Sequence, residues 1–261
     1  MPSDLPLRTN LHNEVKAQKQ AKKAGAAAIV ACAAIADFAF VQKRQTGKTK
    51  TQWNDDDVAA VGRALAALHA LPGKDLAPLG GGATVQAAIN EGRTATAHLV
   101  RRGAIGAAQA LRLKASIDEF GAAVADVVEF GADFGGDVDR VFVHGDVRGD
   151  NVFFDEEGVA RFIDFGLAGR GDAAVDVARV VGYQRLSPHQ TFVLVDAWAG
   201  AGDFDDAVDR AVALSRAMPL LLALNAARYV TDVEAGVVDV VDRAAVLARW
   251  PGILQRLGVT T

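Results

Sequence analysis

The sequence has few of the residues that mark secreted or thiolate-metal proteins. One of its 261 residues, Cys32, is a cysteine, which excludes an internal disulfide and a Cys-rich zinc site. This scarcity favours a reducing compartment, so we expect a cytoplasmic location. Aromatic residues are 7% of a chain that is 51% hydrophobic. Much of the apolar content is therefore Ala, Val and Leu, which suits helices with small side chains.

The chain also lacks a long apolar run. Residues 24–36 form an apolar stretch of 13 residues after several lysines, whereas a membrane-spanning helix needs about 20. The segment resembles a secretory signal in outline, but the basic part before it is long and contains acidic residues. We expect a basic helix and a buried strand there instead, and no membrane association.

Common catalytic motifs are missing as well. The sequence contains no Gly-x-Ser-x-Gly and no His-Glu-x-x-His, which disfavours serine hydrolases and zinc peptidases. Residues 47–49, GKT, match the end of a P-loop. Gln42 stands where that motif needs its first glycine, so we do not interpret the segment as a phosphate-binding loop.

Charge is unevenly distributed. Residues 1–51 carry nine Lys or Arg against three Asp or Glu, whereas the rest of the chain is acidic and the net charge is −4. The overall charge gives no electrostatic basis for nucleic acid binding. The basic N-terminal segment suggests that the chain has two parts with different functions. The alternative is a single helix with a solvated, lysine-rich face.

Apolar periodicity divides the chain into helical and strand-like segments. The predicted helices cover residues 12–24, 54–71, 85–101, 104–130 and most of the chain after 173, with interruptions near 199–203 and at Pro219. The predicted strands cover residues 27–32 and 38–43, as a hairpin, and residues 141–143, 151–154 and 159–163, with a turn at 156–158.

Residues capable of chemistry concentrate between 144 and 176. Asp146 follows one predicted strand, Asn151 comes five residues later, and Asp164 ends the next pair of strands. The spacing predicts that these three oxygen-bearing side chains meet at one end of a small sheet. Oxygen ligands of this kind suit Mg²⁺, which takes one or two protein carboxylates together with phosphates. Phosphoryl transfer needs such a site.

At this point the sequence resembles a known family. Residues 144–151, HGDVRGDN, are similar to the catalytic loop of aminoglycoside phosphotransferases and of choline-kinase-like small-molecule kinases. Residues 162–166, FIDFG, resemble the metal-binding strand end of that family, and the acidic residues of 171–178 resemble the segment that follows it. The resemblance covers roughly residues 12–250 and is most specific at 141–178.

The resemblance implies an α+β, protein-kinase-like fold with two lobes. The N-terminal lobe, residues 1–47 with the hinge, would be reduced, and the C-terminal lobe, residues 48–261, mostly helical. Mg²⁺ and ATP or GTP would be the cofactors. The implied roles are catalytic base for Asp146, metal ligands for Asn151 and Asp164, substrate contact or loop ordering for Arg148 and Asp172, and structural support for His144 and Asp176.

The sequence departs from the family at its beginning. Kinases of this fold start with a glycine-rich hairpin and a strand that bears a phosphate-binding Lys or Arg. Only 13 residues precede Glu14, the candidate helix glutamate, and they contain no glycine. The remaining candidates for nucleotide binding are Arg8, as a phosphate clamp, and the hinge residues Lys43, Arg44 and Gln45. Four explanations of this pattern remain open: a start site placed too far downstream, a truncated gene product, a divergent mode of phosphate binding, and a pseudo-enzyme.

We therefore expect an Mg²⁺-dependent phosphotransferase that acts on a hydroxyl group of a small molecule. The acidic C-terminal part favours a cationic acceptor such as an amine alcohol or an aminoglycoside, although its aspartates also fit helix starts. The alternative is a non-catalytic kinase-like binding module that has lost its nucleotide-covering hairpin. Neither hypothesis requires nucleic acid or a membrane as a partner, and the sequence does not specify the oligomeric state.

Overall fold

The computed structural model describes residues 17–19, 32–36, 39–42, 47–71, 85–132 and 141–259. Residues 17–19, which belong to the first predicted helix, are helical. The further helices are α1 (Asp55–His69), α2 (Val85–Arg101), α3 (Ala107–Ala132), α4 (Ala173–Gln184), α5 (Pro188–Ala199), α6 (Asp205–Glu234), α7 (Arg243–Leu247) and α8 (Trp250–Arg256). The strands are β1 (Cys32–Ala36), β2 (Ala39–Gln42), β3 (Val141–Val143), β4 (Val152–Phe154), β5 (Ala160–Phe162) and β6 (Gly169–Gly171).

The predicted hairpin near the beginning is present, but its first strand lies further along the chain. β1 starts at Cys32, where the prediction ended the strand. Ala36 pairs with Ala39, so a connection of two residues sets the position of both strands. The apolar residues of 24–36 are too uniform for their pattern to locate a strand within them.

Three antiparallel pairings build the sheets of the described residues. β1 pairs with β2, β4 with β5, and β3 with β6. The last pairing was not predicted, because Gly169–Gly171 contributes only one side chain and carries no alternating pattern. Lys48 forms an isolated antiparallel bridge with Phe154, which attaches the segment before α1 to β4.

Helix α1 begins where its capping sequence predicts. The Asn54 side chain accepts a hydrogen bond from the Asp57 N–H at 2.9 Å, and the Asp57 carboxylate accepts one from the Asn54 N–H at 3.2 Å. This reciprocal capping box satisfies two N–H groups that the first turn would leave without partners. The acidic residues also lie at the positive end of the helix dipole.

The break predicted at Pro219 is wrong. Helix α6 continues through this residue from Asp205 to Glu234, although proline lacks the N–H that would bond to the Ser215 carbonyl. The helix packs against α2, α3 and α4, and tertiary packing supplies most helical stability in proteins. The interruption predicted near 199–203 is confirmed, since α5 ends at Ala199. No described helix is both long and apolar enough to cross a bilayer.

Helix α4 lies between two hydrophobic clusters. Val177 and Val181 join the first cluster, which includes residues of α1, α5, β3, β4 and β5. Val175 and Ala178 join the second, built mainly by α2, α3, α6 and the C-terminal helices. Because apolar residues on opposite sides of α4 are buried, the position of this helix is fixed from both sides. Its buried carboxylate, Asp176, is therefore held in a fixed position.

Candidate active site

A tight loop after β3 carries the first residues of the predicted catalytic segment. Gly145 has a left-handed backbone with φ of 81°, a conformation that favours glycine because it has no Cβ. Three residues after Gly145, the Arg148 N–H donates to the Asp146 carbonyl at 2.9 Å. The loop therefore turns sharply as it leaves the strand, with Asp146 at its centre.

Helix α4 holds the backbone of this loop through a buried carboxylate. Asp176 accepts hydrogen bonds from the N–H of His144 at 2.6 Å and from the N–H of Gly145 at 2.9 Å. Arg179, three residues later on the helix, donates to the Gly145 carbonyl. The placement of the loop is thus fixed by α4 rather than by the loop sequence alone.

A chain of buried hydrogen bonds supports Asp176 from its other side. The indole N–H of Trp198 donates to Nδ1 of His69 at 3.0 Å, and Nε2 of His69 lies 3.2 Å from Oδ2 of Asp176. His69 and Asp176 are fully buried. Since Nδ1 accepts the hydrogen bond from the Trp198 N–H, it carries no proton of its own. The His69 proton therefore lies on Nε2, which donates a hydrogen bond to Asp176.

Asp176 stays ionised in this environment. Burial acts to raise its pKa, but the hydrogen bond from His69, followed by the proximity of His144 and Arg179, holds the pKa below the ordinary 3.8. A carboxylate with this many donors favours its charged form. Its two oxygens can therefore accept all the bonds that position the loop.

His144 is a neutral, buried residue with both ring nitrogens occupied. Its Nδ1 accepts from the Asp146 N–H at 3.2 Å, and its Nε2 lies 2.9 Å from the Ile163 carbonyl, to which it donates. Phe162 and Phe165 pack against the ring. Burial lowers the pKa of His144 below 6.5, against the opposing effect of Asp176 and the Ile163 carbonyl. His144 thus links the catalytic loop to the end of β5.

The free energy of unfolding should decrease as the pH decreases, because of His144. Its unfolded-state pKa is near 6.5 and its native pKa is lower, so below pH 6.5 the unfolded chain binds a proton that the native chain does not. The free energy of unfolding should decline from about pH 6.5 downward, by at most about 1.4 kcal/mol per pH unit. Urea denaturation of wild type and His144→Gln between pH 7.5 and 5.5 measures this. Equal slopes in the two proteins would contradict the prediction.

Asp146 is the carboxylate that the loop presents toward solvent. Its side chain is 15% exposed, and Oδ2 lies 3.3 Å from Nε of Arg148. The Asn151 side chain donates from Nδ2 to the Asp146 carbonyl at 2.9 Å and to Oδ2 at 3.1 Å. The structure therefore brings Asp146 and Asn151 together, as their spacing predicts, and places Arg148 beside them. The Asn151 amide fixes the Asp146 carboxylate.

The two predicted metal ligands have atoms suited to Mg²⁺. Because both groups that accept from Asn151 belong to Asp146, the amide nitrogen faces Asp146, and Oδ1 makes no hydrogen bond to the described residues. The Ile163 N–H donates to the Asn151 carbonyl at 3.0 Å, which places Asp164 beside Asn151 in the fold. Asp164 is exposed and has a left-handed backbone, with φ of 60°.

This donor set fits a metal that nucleotide phosphates help to hold. One amide oxygen and one exposed carboxylate are typical of Mg²⁺, which keeps phosphate and water among its ligands. Clusters of three or more His, Cys, Asp or Glu able to hold a metal do not occur among the described residues. An all-protein cage of those residue types is therefore not formed in this part of the chain.

Asp172 lies away from the open surface. It caps α4 by accepting from the Ala174 N–H at 3.0 Å, and its Oδ2 accepts from Nε of Arg210 at 2.9 Å. The Asp172 and Arg210 side chains are both almost completely buried. This placement ties the start of α4 to α6 and occupies both carboxylate oxygens, which favours loop ordering over substrate contact.

Two residues near the loop were not among the predicted site residues. Tyr183 lies on α4, and burial together with the nearby Asp146 carboxylate raises its pKa above 10.0. Arg179 holds the Gly145 carbonyl. Both follow Asp176 at spacings of three and seven, which place them on one face of a helix. This spacing was the available signal, but it is also what core helices display.

A large groove opens next to Tyr183. It has a volume of about 1390 Å³ and lies between α4, α5 and α6, with Arg256 of α8 at its edge. Its walls are largely apolar and include Leu186, Phe192, Val195, Val212, Leu220 and Leu222. Tyr183 belongs to its lining and lies near Asp146, so this end of the groove is close to the loop after β3.

The predicted nucleotide-binding residues lie outside the described residues. They are Arg8, Glu14, Lys43, Arg44 and Gln45. Of the nearby basic residues that are described, Lys50 lies 2.5 Å from the Asp57 carboxylate and 4.8 Å from the centre of the Phe154 ring. Its charge is therefore already paired within the protein.

Comparison by sequence identifies one family. The sequence model of the phosphotransferase enzyme family, which includes aminoglycoside phosphotransferases, matches residues 2–213. A search of curated proteins finds no match. The matched range contains the whole of the catalytic loop, the end of β5 and helix α4.

Solved structures resemble this fold over nearly the whole chain. An aminoglycoside phosphotransferase from Alicyclobacillus acidocaldarius is 15% identical with a TM-score of 0.61, over 96% of this chain and 81% of that one. A choline/ethanolamine kinase family protein from Mesorhizobium loti is 17% identical with a TM-score of 0.61, over 95% and 82%. A spectinomycin phosphotransferase, in complex with ADP and spectinomycin, is 10% identical with a TM-score of 0.60, over 95% and 81%. These likenesses confirm the predicted kinase-like fold.

Proposed function

Because the chain belongs to the phosphotransferase enzyme family, we propose that it transfers the γ-phosphoryl group of ATP or GTP to a hydroxyl group of a small molecule. The observation that carries the proposal is the position of Asp146. Its carboxylate is fixed by Asn151 and lies near Tyr183, a residue of the groove lining. A spectinomycin phosphotransferase of similar fold holds ADP and its acceptor together, which supports a ternary arrangement here.

We assign Asp146 the positioning and deprotonation of the acceptor. Phosphoryl transfer depends on aligning the attacking oxygen and stabilising phosphate charge. A carboxylate held by the Asn151 amide can accept a hydrogen bond from the acceptor hydroxyl and then its proton. Arg148, whose Nε lies 3.3 Å from Oδ2 of Asp146, is a neighbouring cation that orders the loop or contacts the substrate. The geometry of Asp146 depends in turn on His144 and Asp176, to which we assign structural roles.

Asn151 and Asp164 would hold Mg²⁺ on the nucleotide phosphates. When bound, the ion supplies positive charge that neutralises the phosphates. Asn151 has a double task, since its nitrogen fixes Asp146 while its oxygen remains available as a ligand. The residues proposed to contact the nucleotide itself are Arg8, Glu14 and the hinge segment of Lys43, Arg44 and Gln45. Asp172 orders the start of α4.

Nucleotide binding provides the first test. Mg²⁺-ATP at a hundredfold excess over its Kd should stabilise the protein by about 2.7 kcal/mol, which raises the melting temperature by several degrees. Asp164→Ala should remove most of this shift, whereas Asp150→Ala, which changes an exposed neighbour of Asn151, should keep it. A parallel titration with Mg²⁺-GTP identifies the donor.

The outcome separates the two hypotheses from the sequence. A shift accompanied by phosphoryl transfer to a panel of hydroxyl compounds supports the enzyme. A shift without transfer to any of them supports the non-catalytic binding module. The absence of a shift at millimolar nucleotide, with either nucleotide and Mg²⁺, contradicts the proposed function.

A further inference from the structure

We propose that the groove beside Asp146 selects an acceptor with an apolar body and an anionic group, a carboxylate or a phosphate, which Arg185 and Arg256 bind. This inference rests on the proposed function and specifies its substrate class. It departs from the cationic acceptor that the acidic composition suggested. The charges that line the groove, rather than the charge of the whole lobe, decide which acceptor fits.

The charges along the groove are predominantly positive. Among its described lining residues, three are arginines, namely Arg185, Arg216 and Arg256, and one, Asp196, is acidic. No carboxylate among the described residues forms an ion pair with these arginines; Nε of Arg256 donates to the Gly252 carbonyl at 3.1 Å. Three guanidinium groups, with N–H donors that are not engaged in ion pairs with the described carboxylates, therefore border an apolar space.

Two of these arginines lie close enough to repel each other. Partial burial lowers the pKa of Arg256, and the charge of Arg185 lowers it further. Neighbouring like charges raise the free energy of a site until an opposite charge is placed between them. An anion bound by both guanidiniums would relieve this repulsion, and guanidinium groups bind carboxylate and phosphate with paired hydrogen bonds.

The backbone conformation of Arg185 is a second, independent observation that indicates a function for its side chain. Arg185 caps the end of α4 with a left-handed φ of 53°, and the Leu186 N–H donates back to the Val181 carbonyl at 3.1 Å. Glycine is the residue that usually occupies this position, because any Cβ is disfavoured there. An arginine at this site is unfavourable for the helix end, yet it places a cation in the lining of the groove.

The distance along α4 connects this cation to the chemistry. Tyr183, which lies near Asp146, and Arg185 both line the groove, so one elongated molecule can reach both. Its hydroxyl group would lie at Asp146 and its anionic group at Arg185 and Arg256. The apolar part would pack on the walls between them, which include Val212, Leu220 and Leu222. A polycationic acceptor would meet the guanidiniums and an apolar surface instead.

Equilibrium binding without nucleotide tests the inference. The probes are 10-hydroxydecanoate, 10-hydroxydecyl phosphate, the neutral 1,10-decanediol and the cationic 10-aminodecan-1-ol, measured by calorimetry. We expect both anionic probes to bind at least about tenfold more tightly than the diol and the amine. The relative affinity of carboxylate and phosphate distinguishes the two sources of negative charge.

Arg185→Gly is the decisive variant, because glycine suits the left-handed backbone and the protein should fold at least as well. It should lose most of the preference for anions, as should Arg256→Gln, whereas Arg249→Gln, an exposed arginine outside the groove lining, should keep it. An amine that binds as tightly as the hydroxy acid, or an unchanged preference in Arg185→Gly, would overturn the inference.

The failures of the two proposals can be told apart. If nucleotide binds and transfer occurs, but only to neutral or cationic acceptors, the proposed function stands and the inference is wrong. If the anionic probes bind as expected while nucleotide produces no stabilisation, the phosphotransferase proposal is wrong and the substrate assignment falls with it. Asp146→Asn separates the steps further, since it should keep probe binding.

Discussion

Asp146→Asn is expected to lower kcat for phosphoryl transfer by about 10²- to 10⁴-fold, the usual contribution of a general base. The asparagine side chain has the same shape and can still accept from Asn151 through its oxygen, but it neither takes the proton of the acceptor nor carries charge. Steady-state kinetics with the best acceptor from the panel, together with the melting temperature, measures the effect. The melting temperature should change little.

A matched control lies four residues further along the same loop. Asp150 is exposed, and Asp150→Asn changes the net charge by the same amount, so it should retain most of the activity. If Asp146→Asn and Asp150→Asn reduce kcat equally, Asp146 is not the base. A loss of activity that accompanies a large fall in melting temperature would assign it a structural role instead.

Asp176→Ala is expected to destabilise the protein by about 3–5 kcal/mol, because removing one side of a buried ionic network leaves the rest without compensation. The N–H groups of His144 and Gly145 and the Nε2–H of His69 all donate to this carboxylate. None of these buried donors would find a replacement partner. Urea denaturation measures the change, and transfer activity should fall with it.

Two further variants show whether the effect comes from the network. Asp176→Asn keeps one accepting oxygen and should be intermediate, since its amide nitrogen faces donors. Asp196→Asn changes an exposed aspartate on α5 and should alter stability by no more than about 0.5 kcal/mol. A loss below about 1 kcal/mol in Asp176→Ala would mean that Asp176 does not hold the loop.

Local sequence signals predicted the elements whose ends they control. The Asn54–Asp57 capping box located the start of α1, because the capping bonds involve neighbouring residues only. Pro219 led to a wrong prediction. A proline within a helix destabilises it, but packing against segments distant in the chain can outweigh this cost, and that packing cannot be read from the sequence. The strand Gly169–Gly171 was missed for a related reason, because its partner β3 lies far away in the chain.

The candidate site divides in the same way. Asp146, Asn151 and Asp164 could be selected from their spacing and from the resemblance of the loop, and the first two are in direct contact. The support from His69, Trp198 and Arg179 depends on helices that meet only after folding. Periodicity places such residues on a helix face, but it does not distinguish a face that binds a catalytic loop from one that fills a core.

The embedding of α4 between two hydrophobic clusters has a consequence for how new specificities can arise. The wall of the groove that α4 forms is tied to the catalytic loop through Asp176 and Arg179, so changes there disturb the chemistry. On the opposite walls, the side chains of Phe192 on α5, which is 67% exposed, and of Val212 on α6, which is only partly buried, take no part in the hydrogen bonds that hold the loop. We therefore expect acceptor choice to diversify at such positions of α5 and α6 while Asp146 and its supports stay unchanged.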